Sequence, residues 1–452
     1  MLFSSLSFLF YFFPAVLLIH YFLPQGWQNP FLFLASLVFY AWGDARYIPL
    51  FFALLAVDWG AGLLLEKTKT PWRRKLCLAL GVGANMGSLL FYKYIGFFLE
   101  TLGLNGAVPL HPSLPLGISF FTFQAVGYLV DVYRGETRCE KDPVAFGTFL
   151  FLFPQLIAGP IVRYRDLAVS LHRLRKPGGQ ALESGMACFV AGLASKVLLA
   201  NPLGELSAEM KALSGDAGAA LIFLLAYGLQ IYFDFMGYSI MAVGMGRMLG
   251  FSFPRNFRHP YAASSVTDFW RRWHITLSGW FRDYVYIPLG GNRRGTGRTL
   301  LNMLIVWGLT GFWHGAGWNF ILWGLWYFFC LTLDKFVLEK RSFPSWTRRG
   351  WMLFSVAVGW GLFSADSAFG SAWLLKSLAG LHFSGRTLFF LRDYGALLAV
   401  SVLLCVPKLV EKGKALMRRR PAVRLVSVLG LMALCLAALA ESSYNPFLYF
   451  HF

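Results

Sequence analysis

Charge is what this 452-residue chain has least of: 14% of its residues are Asp, Glu, Lys or Arg, where a soluble chain carries roughly 25%. With 57% hydrophobic residues and a positive mean hydropathy, that shortage excludes a water-soluble globular enzyme and leaves an integral membrane protein. Cysteine is scarce as well. Cys77, Cys139, Cys188, Cys330, Cys405 and Cys435 are scattered, mostly in apolar runs, with no CxxC pair, so they read as small core residues and predict neither a metal site nor a disulfide. There is no HExxH, which leaves a membrane zinc protease unsupported, and no GxSxG, which leaves a hydrolase-type serine nucleophile without a motif. No polar linker interrupts the chain and no internal repeat is evident. That favours one membrane domain over residues 1–452 and weakens a transporter built from duplicated halves.

Long apolar runs are what the chain has instead. They cover residues 6–23, 30–42, 47–65, 76–98, 115–133, 183–203, 217–240, 299–313, 318–337, 350–365, 392–408 and 425–440, and about 20 apolar residues suffice to cross a hydrocarbon core roughly 30 Å thick. Eleven or twelve crossings are expected, in an all-helical fold, because a helix satisfies its own backbone inside lipid. The net charge of +19 does not point to nucleic acid. The basic residues cluster in short loops, Lys67 to Lys75, Arg163 to Lys176, Arg293 to Arg298, Lys340 to Arg349 and Lys408 to Arg424, the pattern of loops facing the cytoplasm. Neutral or acidic loops, such as that with Glu205, Glu209 and Asp216, then face outward, and counting back from Lys67 puts the N-terminus outside. The first apolar run has no Lys or Arg before it, so it reads as a retained span rather than a signal peptide.

Two stretches depart from plain spans. Residues 143–160, "PVAFGTFLFLFPQLIAGP", are apolar but broken by Pro154 and Pro160 and read as a re-entrant segment, which is tolerated where protein or a water-filled cavity satisfies the backbone. Residues 251–298 are too polar to span yet dense in aromatics. Within them Phe269, Trp273, Leu277, Trp280 and Tyr284 recur every three or four residues, opposite Asp268, Arg271, Ser278 and Arg282, so 268–286 is expected to be one amphipathic helix. His274 falls on its border, one turn from Arg271 and Ser278.

Candidate chemistry centres on histidine. An ionisable group inside a span is a functional hypothesis by default, and His314 sits in the apolar "GFWHGAGWNF". A straight helix from Thr299 places it about 22 Å from the cytoplasmic edge, around or past the midplane. Gly311, Gly315 and Gly317 beside it let a neighbouring backbone or a substrate chain approach. His274 is the second candidate, since a neutral imidazole accepts a proton from a hydroxyl. Asp234, in "QIYFDFMGYS", must be paired to be tolerated; it is expected to orient an imidazole or to pair with Arg271 or Arg272. "PLGGNRRGTG" is a basic loop able to meet phosphates but lacks the Walker spacing. The bland alternatives stand beside each: a hydrogen-bonded structural His314, an interfacial His274, a structural ion pair at Asp234 and a loop of turn glycines.

The ordered block "FDFMGYSIMAVGMGRMLGF", "PRNFRHPY", "TDFWRRWHITLSGWFRDYVYIPLGGNR" and "GFWHGAGWNFILWGLWY" resembles the membrane-bound O-acyltransferase family. The likeness is to its bacterial branch of alginate and peptidoglycan O-acetyltransferases. "FPQLIAGPIVRYRDL" and the terminal "YNPFLYFHF" extend it over most of the chain. The resemblance implies a fold with a cytoplasmic tunnel for the acyl donor and an outer funnel, with 217–337 as the catalytic block, in a bacterial plasma membrane. It implies that His314, of the WHG motif, is the catalytic residue and that His274, of RRWH, is the second family histidine. Asp234, Asp268, Arg271, Arg272, Trp273, Ser278, Trp313 and Asn319 are expected to support them. No bound cofactor is implied: acetyl-CoA or an acyl carrier protein is the thioester donor and an exported polysaccharide is the acceptor. A separate periplasmic or cell-surface SGNH-type acetyltransferase is the expected partner. The sister branch that transfers D-alanine to teichoic acids shares the FDF, RRWH-like and WHG elements, while "PLGGNR" is closer to the acetylases. A transporter with a histidine proton relay and a scaffold that recruits the outer transferase are the readings from other classes.

Overall fold

The computed structural model describes residues 2–104, 112–157, 159–341, 343–367 and 369–441; the terminal "YNPFLYFHF" lies outside them. Among the described residues every regular element is helical. The first half contains α1 (Phe8–Phe22), α2 (Gln25–Asp44), α3 (Ile48–Lys67), α4 (Pro71–Thr101), α5 (Ile118–Arg134), α6 (Pro143–Phe151), α7 (Phe153–Leu156) and α8 (Tyr164–Leu171). The long α9 (Gly179–Ala212) and α10 (Ala217–Met248) follow, then the short α11 (Val266–Arg272) and α12 (Ile275–Phe281). The remainder is α13 (Gly295–His314), α14 (Trp318–Leu338), α15 (Ser345–Phe363), α16 (Ala372–Gly380), α17 (Gly385–Leu404), α18 (Pro407–Arg419) and α19 (Pro421–Glu441).

Each apolar run of the sequence is helical. Seven helical stretches are long and apolar enough to cross a membrane, one of them, Gln25–Lys67, containing both α2 and α3. The helices α1, α5, α13 and α15 fall outside those seven. At 17 residues α5 lies at the lower limit of a span, and it buries Thr122, Gln124 and Asp131, polar groups that a helix wrapped by protein accommodates and a lipid-facing one does not. The same contrast separates the long helices. Within α19 only 6% of the apolar window is buried, against 78% in α10; α10 is therefore a core helix, and α19 presents an apolar surface suited to lipid.

The described chain groups into two compact units, residues 1–189 with 238–255, and residues 190–237 with 256–452. The first has a phenylalanine core. Phe8, Phe39, Phe51, Phe121, Phe146, Phe149, Phe151 and Phe153 are all buried, with Phe51 and Phe121 in an edge-to-face pair at 4.8 Å, a favoured aromatic geometry. In it, 143–160 forms two short helices broken at Leu152, with residues 145–157 buried. Neither piece is long enough to span a bilayer. Proline at the first turn of α7 starts that helix without losing a needed N–H.

The core of the second unit runs along α10 and gathers Phe233, Phe269, Trp270, Trp273, Trp323, Tyr327 and Trp360. Two close approaches shape it. At Gly237 an added Cβ would lie 2.8 Å from the Gly192 carbonyl oxygen, so α9 and α10 pack backbone to backbone there. At Gly311 and Gly324 a Cβ would collide with the carbonyls of Phe320 and Trp307, which fixes α13 against α14 as a tight hairpin.

Candidate active site

All of the candidate residues belong to the second unit. His314 is the last residue of α13, and the chain turns through the extended Gly315 and Gly317 into α14. The residue is 6% exposed, and its ring sits among Trp313 at 4.8 Å, Trp323 at 4.9 Å and Phe363 at 5.3 Å between ring centroids. The aromatic walls keep the local dielectric low, which strengthens any polar interaction the ring makes.

The close approach at Gly311 and Gly315 is made by protein. A Cβ at Gly315 would collide with the Phe320 ring, and one at Gly311 with the Phe320 carbonyl; the approach expected there is made by α14, not by a substrate chain. Gly311→Ala is accordingly expected to lose about 1–3 kcal/mol of stability by overpacking a backbone contact. Thermal unfolding of the purified chain measures it, with Gly308→Ala, where a Cβ meets nothing within 4 Å, as the unaffected comparison. Equal melting points for the two variants would contradict the hairpin account.

His274 is not a border residue. The amphipathic helix expected over 268–286 is two helices, α11 and α12, followed by a π-helical turn at Arg282–Tyr286. Between α11 and α12, Trp273 is extended and His274 is left-handed, with φ 44° and ψ 53°. The break has a local cause: Asn256. Its carbonyl oxygen accepts from Ile275 N at 3.0 Å, and its side-chain oxygen accepts from Thr276 N at 3.2 Å and Thr276 Oγ1 at 2.9 Å. Two of the first N–H groups of α12 thus find acceptors outside the preceding turn, and nothing holds the helix continuous. A left-handed backbone costs a non-glycine residue roughly 1–2 kcal/mol, so the two hydrogen bonds, at about 1 kcal/mol each, are enough to hold it.

That kink turns His274 inward, to 1% exposure. Its Nδ1 lies 3.1 Å from Asn256 Oδ1, and its ring faces Phe235 at 4.7 Å and Trp313 at 6.0 Å. Trp313 therefore lies against both histidines. Burial pushes the His274 pKa well below the ordinary histidine value and keeps the ring neutral. Because the unfolded ring protonates near pH 6.5 and the folded one only further down, its contribution to stability is complete above about pH 6.5 and lost as the pH falls below it.

The supporting residues separate into those that reach the histidines and those that do not. Asp234 pairs with neither Arg271 nor Arg272: it faces Lys196 at 2.9 Å, both side chains being 3% exposed. Arg272 instead holds Asp268 at 2.9 Å, one turn apart on α11, and Arg271 is exposed. Trp273 is buried against Phe257, Phe269 and Trp360, and Ser278 Oγ donates to the Trp270 carbonyl. Asn319 Nδ2 donates to the Ala365 carbonyl at 2.8 Å, tying the start of α14 to the end of α15. Four residues that the sequence reading did not single out matter here: Asn256, Lys196, Trp323 and Phe363. A lysine inside the apolar run 183–203 is the one readable signal among them, and it sits in a π-helical turn, Ser195–Ala200, a feature frequent at functional sites.

Comparison with known proteins identifies the family. The sequence profile of MBOAT, the membrane-bound O-acyltransferase family, matches residues 139–374, a stretch that holds both histidines, Asn256 and the Lys196–Asp234 pair. The chain is 35% identical over 505 residues to the "Probable alginate O-acetylase AlgI" of Azotobacter vinelandii, with all of both chains covered. It is 34% identical over 430 residues to the peptidoglycan O-acetyltransferase of Helicobacter pylori, covering 84% of this chain and 80% of that one. Against the teichoic acid D-alanyltransferase of Streptococcus thermophilus it is 30% identical over 246 residues, half of this chain and 58% of the other. Two buried imidazoles against one indole, in a many-helix membrane chain with these relatives, lead to one assignment: the chain belongs to the membrane-bound O-acyltransferase family.

Proposed function

We propose that this chain passes an acetyl group from a cytoplasmic thioester, acetyl-CoA or an acyl carrier protein, across a bacterial inner membrane for O-acetylation of an exported polysaccharide. A periplasmic or surface SGNH-type acetyltransferase completes the transfer onto the polymer, and the N-terminus of the chain faces outward. What supports acetyl over D-alanyl is coverage: the likeness to the alginate acetylase runs the full length of both chains, and that to the D-alanyl transferase stops at half.

One observation carries the chemical reading: His274 and His314 are both buried and both face the Trp313 ring. In the proposed step His314 takes the proton of an acceptor hydroxyl as its oxygen bonds to the acyl carbon. The carbon–sulfur bond then breaks, the sulfur leaves with the electron pair, and the proton returns to it as thiol. His274, with its lone pair kept in a dry pocket, supports the donor or the transition state. The Lys196–Asp234 pair fixes α9 to α10 beside Phe235, whose ring touches His274, so it frames the site from behind. A base at the depth expected for His314 from the sequence, around the bilayer midplane, answers a physical problem, since the thioester is inside and the polymer is outside.

The test uses cells that make the chain with its polymer and partner transferase. Ester content of the exported polymer is expected to disappear with His314→Ala and to fall at least tenfold with His274→Ala, both variants being present in the membrane at normal level. Unchanged ester content in either variant contradicts the role given to that histidine.

A further inference from the structure

His274 has two ring nitrogens, and which of them is basic decides where it can act. We propose that Asn256 is the positioning residue that makes Nε2 the basic nitrogen of His274, by holding the proton on Nδ1. The inference rests on the reading of His274 as part of the acyl-transfer site, and it adds a residue and a tautomer to it.

Three groups converge on one atom, Asn256 Oδ1: Thr276 N at 3.2 Å, Thr276 Oγ1 at 2.9 Å and His274 Nδ1 at 3.1 Å. A backbone N–H only donates, so the end of the carboxamide that faces Thr276 N must be the oxygen. An amide oxygen only accepts, so Nδ1 facing that same oxygen must carry a hydrogen. Burial disfavours the doubly protonated ring. One proton on Nδ1 leaves the lone pair on Nε2, at the opposite end of the ring from Asn256.

The carboxamide keeps this orientation at a cost. Asn256 is 2% exposed, and its Nδ2 has no acceptor among the described residues, which a buried amide tolerates only under constraint. Flipping the group would turn its N–H bonds toward the Thr276 N–H. The main chain of Asn256 adds to the constraint, since its carbonyl takes the Ile275 N–H that follows the left-handed His274. Backbone strain and tautomer are thus set by one residue, eighteen positions upstream. The charged groups on the segments that flank or face the ring are paired or exposed. On α11 Arg272 pairs with Asp268 and Arg271 is exposed; on α10 Asp234, next to the facing Phe235, pairs with Lys196; Arg255 and Arg258, flanking Asn256, are exposed; and on α13 His314 follows the facing Trp313.

The experiment is nitrogen-15 NMR on the full chain in lipid vesicles with labelled histidine, the His274 signal being assigned by its loss in His274→Gln. The wild type is expected to show Nδ1 protonated and Nε2 bare at neutral pH, and Asn256→Ala to shift the population toward protonated Nε2. Acetyl transfer gives the second readout. Asn256→Asp keeps the acceptor and adds a negative charge that favours the charged ring, so activity is expected to survive within tenfold while its acid limb moves up by about one pH unit. A wild-type signal with Nε2 protonated overturns the proposal. So does an Asn256→Asp pH profile that superimposes on the wild type, which is the outcome if Asn256 only caps α12. The NMR readout needs no turnover: if no variant or wild type transfers acetyl, the acyl-transfer reading fails while the tautomer is still decided.

Discussion

Replacing His314 by alanine is expected to lower acetyl transfer by about 10³-fold or more, the loss of a general base at a buried site. The reason lies in what surrounds the ring. Trp313, Trp323 and Phe363 wall it within 5.3 Å between centroids, so no titratable side chain among those neighbours can take over its proton. Folding should survive, because the hairpin that presents His314 is held by Gly311 against the Phe320 carbonyl and by Asn319 on the Ala365 carbonyl, neither of which involves the imidazole. The variant should therefore reach the membrane at wild-type level and melt within a few degrees of it. Single-turnover transfer from an acetyl thioester reads the chemistry directly, and a variant that turns over at the wild-type rate removes His314 from the mechanism.

The second large effect is on stability. Lys196→Ala is expected to cost about 3–5 kcal/mol, because it removes the cation 2.9 Å from the Asp234 carboxylate in a site where both partners are 3% exposed. Asp234→Ala removes the facing anion with a similar effect. The double change to Lys196→Met with Asp234→Leu is expected to recover most of the loss, since removing both charges also removes the cost of burying them. Denaturation of the purified chain gives all three values. If the double variant is as stable as the wild type and transfers acetyl normally, the pair is purely a brace between α9 and α10. If it is stable but transfers at least tenfold more slowly, the pair contributes polarity to the site through Phe235 and His274 as well. Single variants that unfold like the wild type would contradict the burial argument.

Much of the fold was legible because lipid restricts the choices: a run such as 217–240 has to be helix, and it lies within α10. What periodicity could not show was the interruption of a helix by a distant residue. The stripe Phe269, Trp273, Leu277, Trp280 and Tyr284 has perfectly good helical spacing, and only Asn256, folded back from outside the stripe, takes the N–H groups that would have continued the turn. The same limit applied to Asp234. Its need for a partner was readable from its apolar surroundings, but the cation expected there, Arg271 or Arg272, was not the one that the packing of α9 on α10 supplies. His314 and His274 were both legible as candidates, one from its apolar surroundings and the other from its motif. Their shared contact with Trp313 was not, since it depends on the hairpin turn at Gly315 and on the kink at His274 together. Of the two approaches that the small residues beside His314 allow, a neighbouring backbone or a substrate chain, a neighbouring helix makes the one at Gly311 and Gly315.

The most direct test places the two substrates on opposite sides. The full chain is reconstituted in sealed vesicles with isotopically labelled acetyl thioester at the face bearing the basic loops, and a polysaccharide acceptor with the partner transferase at the other. Labelled O-acetyl ester on the acceptor, dependent on His314 and absent when the thioester is supplied on the acceptor side alone, is the predicted result. Ester formation that persists in His314→Ala vesicles, or none at all from a correctly inserted wild-type chain, would contradict the account.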